Sequence, residues 1–203
     1  MTSSVKKIII LGGGGHARVI IQGLGLQEAE IHGIIDPGLS KNQKILGLQV
    51  MGGDELLDQI SPQEYDLVIG IGILPGKIAR RTVSKAVRKK DFEPITFVHP
   101  TAILSPTVKL GSGVQVMAGA VVQNDVYLGN DVVVNTGAIL DHETTVGAGS
   151  WISPGVTICA GVSIGRDCYI GAGATIIQEI LVGDNELIPA GNTIVMNVVS
   201  SYS

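Results

Sequence analysis

The chain has 203 residues, 45% of them hydrophobic and 16% charged, with a net charge of −4. It can bury a core, which excludes a mainly disordered chain. Its acidic balance and 3% aromatic content argue against nucleic acid or an anionic membrane surface as a partner.

Two cysteines, Cys159 and Cys168, are too few for a disulfide scaffold or a four-thiolate zinc site. The opening residues do not read as a secretory leader, so a cytoplasmic protein is expected. Residues 144–165 carry no charge and are long enough to span a bilayer, but Pro154 and five glycines make a membrane helix a poor reading of them.

The first hundred residues alternate strand and helix signals. Residues 6–11 (KKIIIL) form a short apolar run that ends in four glycines, Gly12 to Gly15. Residues 16–26 read as a helix weakened by Gly23 and Gly25. A second strand is expected at residues 31–35, stopped by Asp36-Pro37-Gly38. A short helix follows at 54–60, with Asp54 at its start. A third strand is expected at 65–71, a helix at 77–90 and a fourth strand at 95–98. In the helix, Ala79, Val83, Ala86 and Val87 share one side, and its seven basic residues read as a solvated face. Alternation of this kind implies a parallel sheet covered by helices.

The texture changes near His99-Pro100, giving expected domains of 1–100 and 101–203. Charge divides there too: the first part is net +2 and the second net −6. From Ala102 onward the chain repeats every six residues. The third place of each hexad is aliphatic without exception, from Leu104, Leu110 and Val116 to Ile188 and Ile194. Glycine often follows it, as at Gly111, Gly129, Gly147, Gly165, Gly171 and Gly183. A period of six means a parallel β-helix in which six residues make one flat side and three sides close a coil. The aliphatic residue should point inward and the following Gly, Asn or Asp should turn the corner. About five coils are expected.

Several residues invite a chemical role on their own pattern. Gly12, Gly14 and Ala17 fit G-x-G-x-x-A after a strand and into a helix, and Asp36 stands near the spacing of a ribose-binding acid. Taken alone this points to a dinucleotide. The chain leaves α/β grammar before a second mononucleotide half, so a mononucleotide suits it better. His142, followed by Glu143, lies near a coil corner and is the sole histidine of the hexads. Histidine is the usual base when an amine must lose a proton, and Glu143 or Asp141 can orient it. A functionless corner histidine is the other reading. One histidine in the hexads cannot build a three-His zinc site there, so no metal is expected. Cys159 and Cys168 read as structural thiols.

The whole layout resembles one branch of the left-handed β-helix acyltransferases, the NeuD/PglD-like sugar O- and N-acyltransferases. The residues that carry the resemblance are IIILGGGGHAR, IIDPG, VIGIG, HPTAILSPT, VMAGAVV and NTGAILDHE. It implies a small Rossmann-like domain followed by a left-handed parallel β-helix. It implies acetyl transfer from acetyl-CoA to the amino group of a UDP- or GDP-linked deoxyaminosugar, with O-acetylation of sialic acid or a related hydroxyl as the alternative. A non-catalytic nucleotide-sugar-binding protein is a reading from another class.

The resemblance places the acceptor at Gly14, Gly15, His16, Asp36, Pro37, Ile71 and Gly72, with Asn135 helping to hold it. It makes His142 the general base and Glu143 its supporting carboxylate. It lays acetyl-CoA along backbone at Ala172 and Ala190. Trp151 replaces a histidine common in relatives and either stacks on the cofactor or packs at a subunit interface. Ile73-Leu74-Pro75-Gly76 departs from a frequent polar Asn. A homotrimer is expected, with Val132, Ala138, Val156 and Val162 taken as an exposed apolar side of the prism.

Overall fold

The computed structural model describes residues 6–74 and 78–200. The chain forms two compact units, residues 1–95 and 96–203. The first contains β1 (Lys7–Leu11), α1 (Gly15–Leu26), β2 (Ile31–Ile35), β3 (Lys44–Ile45), β4 (Leu48–Gly52), a 3-10 turn (Asp54–Asp58), β5 (Tyr65–Ile69) and α2 (Ala79–Arg88). Sheet order is β3-β4-β2-β1-β5, parallel except for the β3–β4 pair. Ile9, Ile10, Ile34, Leu67 and Val68 are fully buried, as expected for strands covered on both faces. Gly70 lets α1 approach: a Cβ there would lie 2.8 Å from Ala17 Cβ and 2.8 Å from Ile10 Cγ2.

Three sequence expectations change here. The β3–β4 hairpin is an addition. Its strands mix Lys and Gln with apolar residues, and its turn is Leu46-Gly47, both at positive φ, 48° and 84°. That two-residue geometry matches strand twist. Residues 95–98 do not give this sheet a fourth strand; Phe97–Val98 is the first strand of the second unit and pairs with Gln115–Val116. The buried positions of α2 are Arg80, Ser84 and Val87, whereas Ala79 is exposed. Lys77, the expected start of that helix, lies outside the described residues.

The second unit is a parallel β-helix. Its two-residue strands run from β6 (Phe97–Val98) to β22 (Thr193–Ile194). Among the described residues they form three sheets of six, five and six strands. Each strand pairs with the one a full coil of 18 residues away, as Gln115 does with Val133 and Val133 with Trp151. The third-place aliphatics fill the core: Val116, Val122, Val134, Leu140, Ile152, Ile158 and Ile170 are at most 1% exposed.

Val132, Ala138, Val156 and Val162, read from sequence as an exposed side, belong to that core and are 0% exposed. Side chains alternate along a strand, so the first and third places of a hexad both point inward and the second points out. Up to the last hexad, where Val195 and Met196 are also exposed, the large apolar residues of the coils that face solvent are second-place ones, Ile103, Tyr127, Ile139, Leu181 and Leu187.

The corners also differ from expectation. Left-handed backbone sits at the sixth place, as at Asp125, Gly137, Glu143 and Gly155, two residues after the glycines the repeat makes conspicuous. Those glycines serve close approach. Gly111, Gly129, Gly147 and Gly165 stack on one corner, and a Cβ at Gly147 would lie 2.5 Å from the carbonyl carbon of Gly165 in the next coil. Among the described residues no helix is long and apolar enough to cross a membrane.

Candidate active site

The first unit carries its candidate site where β1, β2 and β5 end. β2 lies on one side of β1 and β5 on the other, so the connection reverses direction there, and ligand crevices form at such points. A cavity of about 220 Å³ opens at this place. Gly12, Asp36, Pro37 and Ile71 line it, together with Asp54, Leu57 and Val83. Three of the expected acceptor residues, Asp36, Pro37 and Ile71, are thereby brought together.

The glycine turn beside the cavity is built for a close backbone approach. Gly12 has φ 96°, and a Cβ there would meet Ile71 Cγ1 at 2.8 Å. Gly14 caps α1 in extended conformation with no side-chain cap, and the first turn holds no acidic residue. The N–H groups of that turn and the helix dipole favour an anion. Gly14 and Gly15 are exposed, and a Cβ at either would meet nothing within 4 Å. His16 is half-buried and Gly72 exposed. Asp36 receives the Gly13 N–H on Oδ2 and the Gly38 N–H on Oδ1, both at 2.8 Å. Its carboxylate therefore shapes the two turns as well as facing the cavity.

The β-helix carries the second group. His142 and Glu143 are the turn residues of one corner and both are exposed. His142 Nδ1 lies 3.7 Å from Glu143 Oε2, within ion-pair reach when the ring is protonated. Asp141 is turned to the backbone instead: its Oδ1 accepts the His142 N–H at 2.8 Å. Glu143 reaches its place through a left-handed backbone, φ 61°. The corner is pinned by Glu143 N–H to Asn124 O at 3.1 Å and Gly161 N–H to His142 O at 3.0 Å, in the coils on either side.

Asn135 stands at the preceding corner, across β13 (Ile139–Leu140) from His142. It has no left-handed backbone; its Oδ1 accepts the Thr136 N–H at 2.8 Å. Ala172 and Ala190 are exposed turn residues on that same corner, a coil apart, each followed by a left-handed glycine. A Cβ at Gly155, Gly173 or Gly191 would meet nothing within 4 Å, so the column is low and smooth. Trp151 is 5% exposed and offers little ring surface for stacking.

Among the described residues no group of three or more His, Cys, Asp and Glu is placed to hold a metal ion. Burial pushes the Cys168 thiol above its ordinary range, and its Sγ–H donates to Gly183 O at 2.9 Å. The sequence reading missed Asp54 and Val83 at the cavity and the buried Arg80 behind its Ile71 wall. Arg80 was hidden in a run of basic residues; its i+4 and i+7 neighbours Ser84 and Val87 were the signal.

The PglD N-terminal domain family matches residues 7–86, and the bacterial transferase hexapeptide family, with six repeats, matches residues 143–178. The perosamine N-acetyltransferase of Caulobacter crescentus, solved as a histidine-to-asparagine variant with CoA and GDP-perosamine, is 31% identical. The match covers 98% of this chain and 92% of that one, with a TM-score of 0.89. The chain belongs to the PglD-like family of hexapeptide-repeat sugar acyltransferases. Within that family, the acetyltransferase domain of PglB from Neisseria gonorrhoeae, solved with acetyl coenzyme A, is 30% identical over 96% of this chain and 93% of that one, TM-score 0.88. WeeI from Acinetobacter baumannii shares the fold at 18% identity, with 93% of this chain and 96% of that one covered and a TM-score of 0.63. No curated protein sequence matches the chain.

Proposed function

We propose that this protein transfers the acetyl group of acetyl-CoA to the amino group of a UDP- or GDP-linked deoxyaminosugar. The observation that carries the reading is the exposed His142–Glu143 pair, Nδ1 to Oε2 at 3.7 Å, on a chain whose 31% identical relative was solved with CoA and GDP-perosamine. Two of that relative's substrate complexes are of histidine variants, one to Asn and one to Ala, which supports a histidine at the chemistry.

The chemistry follows from the side chains. Glu143 faces Nδ1 of His142 and leaves Nε2 for the acceptor. As the amine nitrogen attacks the thioester carbon, Nε2 takes its proton, the new C–N bond forms and the C–S bond breaks. The proton leaves with the CoA thiolate, and Glu143 offsets the transient imidazolium charge. Attack is direct, with no acyl-enzyme and no metal. The glycine turn and the α1 N-terminus hold the nucleotide's phosphates; Asp36, Pro37 and Ile71 border the cavity for the rest of the nucleotide. Ala172 and Ala190 fit the pantetheine arm, since a low corner of small residues lets the cofactor meet backbone groups.

The working unit in this reading is a homotrimer. The second-place residues Ile103, Val121 and Ile139 stack on one side of the prism, and Ile103 and Ile139 are 65% and 43% exposed. A side of this kind is covered when three prisms close around a threefold axis.

Thiol release from acetyl-CoA, assayed with UDP-4-amino-sugars and with GDP-perosamine, tests the reading. Acceptor-dependent release with a product stable to mild base is expected. A base-labile ester would shift the reading to O-acetylation, and no release with any acceptor would overturn it.

A further inference from the structure

Arg80 is the one strongly buried cation of the described residues, 3% exposed, and it sits in the first turn of α2, next to Ala79 in the cavity wall. Its Nη1 donates to Ile69 O at 3.0 Å and to Ile71 O at 2.9 Å. Ile69 ends β5, and Ile71 follows it as a wall of the cavity. One nitrogen therefore ties α2 to the backbone that leaves the sheet. Ile71 in turn abuts the glycine turn, where a Cβ on Gly12 would come within 2.8 Å of it.

We propose that Arg80 is a positioning residue for the acceptor: its guanidinium clamps the Ile69 and Ile71 carbonyls and so sets the wall against which the nucleotide packs. The inference rests on the reading that this cavity takes the nucleotide. A buried guanidinium is costly unless its donors are satisfied, and a helix that keeps Arg81 and Lys85 exposed would bury an apolar side chain here more cheaply. Its placement at the carbonyl end of β5 also sets a fixed positive charge beside a cavity bordered by Asp36 and Asp54.

The experiment measures UDP and GDP binding by calorimetry and steady-state kinetics for wild type, Arg80→Gln and Arg80→Lys. Arg80→Gln removes the charge and shortens the clamp. It is expected to weaken the nucleotide bound by wild type about tenfold or more, the scale of one charge-assisted hydrogen bond. Acceptor KM should rise by a similar factor, with kcat at saturating acceptor and acetyl-CoA KM unchanged. Arg80→Lys, whose ammonium can still donate to both carbonyls, should stay within about threefold of wild type.

Arg80→Gln with wild-type acceptor KM overturns the inference, as does a fall in kcat with KM unmoved. If Arg80→Gln loses its native circular dichroism, Arg80→Met, which keeps the apolar stem and drops the donors, decides on folded protein: a tenfold loss of nucleotide affinity supports the clamp and native affinity overturns it. Wild-type protein that binds neither nucleotide overturns the reading of the cavity itself, and this inference with it.

Discussion

Asp36 Oδ2 accepts the Gly13 N–H at 2.8 Å, so the acid that ends β2 braces the glycine turn that ends β1. Its other oxygen holds Gly38. The carboxylate thus has a structural duty in addition to any contact with ligand.

Asp36→Ala should raise acceptor KM and leave acetyl-CoA KM nearly unchanged, because both hydrogen bonds lie in the first unit. Loss of two bonds from backbone N–H to a charged acceptor should also destabilise that unit by roughly 2–3 kcal/mol. Asp36→Asn keeps one carbonyl oxygen and turns an NH2 toward the second N–H, so it should fall between Ala and wild type. Equal loss of acetyl-CoA affinity in the Ala variant would show that the ligands have been assigned to the wrong units.

His142→Ala should keep the fold, since the side chain is exposed and its backbone does the pinning. Turnover should drop by about 10²–10⁴, the usual contribution of a general base. Glu143→Ala should cost less, as it removes a supporting charge and leaves the base in place. Turnover near wild type in His142→Ala would end the assignment.

The two kinds of corner glycine predict different stabilities. At Gly147 a Cβ would be 2.5 Å from the next coil's backbone, which cannot yield as a flexible side chain does. Gly147→Ala should lower stability by about 3 kcal/mol, at the top of the range for overpacking. At Gly155, φ 66°, a Cβ would meet nothing within 4 Å, and the cost is left-handed backbone alone. Gly155→Asn should cost about 1 kcal/mol or less, since Asp125, Asp131 and Asn185 take that conformation at other corners. Thermal unfolding of the two variants ranks them, and the reverse order would refute the distinction.

The same residues mark what could be read without coordinates. The sixteen third-place aliphatics announced a β-helix because a period of six has one structural meaning. The inward direction of Val132 and Ala138 was lost by treating the first place as surface, although alternation along a strand puts it beside the third. The β3–β4 hairpin was hidden because its turn is Leu46-Gly47, and Leu is an unusual residue at φ 48°. Arg80 was hidden for another reason: the burial of a basic side chain depends on carbonyls at Ile69 and Ile71, which the sequence does not show as acceptors. The local geometry of the candidate residues was legible where it rests on motif, in the turn at Gly12 to Gly15 and Asp36 and the corner at His142-Glu143, and illegible where the tertiary fold supplies the partner.

Cys168 offers a chemical check on the corner packing. Burial raises its thiol pKa, and the sulfur donates to Gly183 O. The folded state therefore holds the proton more tightly than the unfolded chain. The stability linked to this group is present below the ordinary thiol pKa and is lost as pH rises through the raised one. Native protein at about pH 8 should show a Cys168 that resists an aromatic disulfide reagent, while the half-buried Cys159 reacts first. Urea should release both thiols. Rapid native labelling of Cys168, located by peptide mass mapping, would contradict its burial.

The trimer can be tested through the side of the prism that the structure exposes. Ile103, Val121 and Ile139 stack in register on one sheet, and the sheet carrying Tyr127 has Lys109 and Thr145 on either side of it. The first is the drier of the two and ends at the His142 corner. A charge placed there would be desolvated by a partner chain at a cost of several kcal/mol, yet would be harmless on a monomer. Ile139→Asp should therefore keep the fold and yield a species near the 21.1 kDa chain mass in sedimentation at micromolar concentration. Wild type should sediment near three times that mass. Activity should fall with the trimer if donor and acceptor meet between chains. A fully active wild-type monomer, or an Ile139→Asp trimer with native turnover, would rule this side out as the seam.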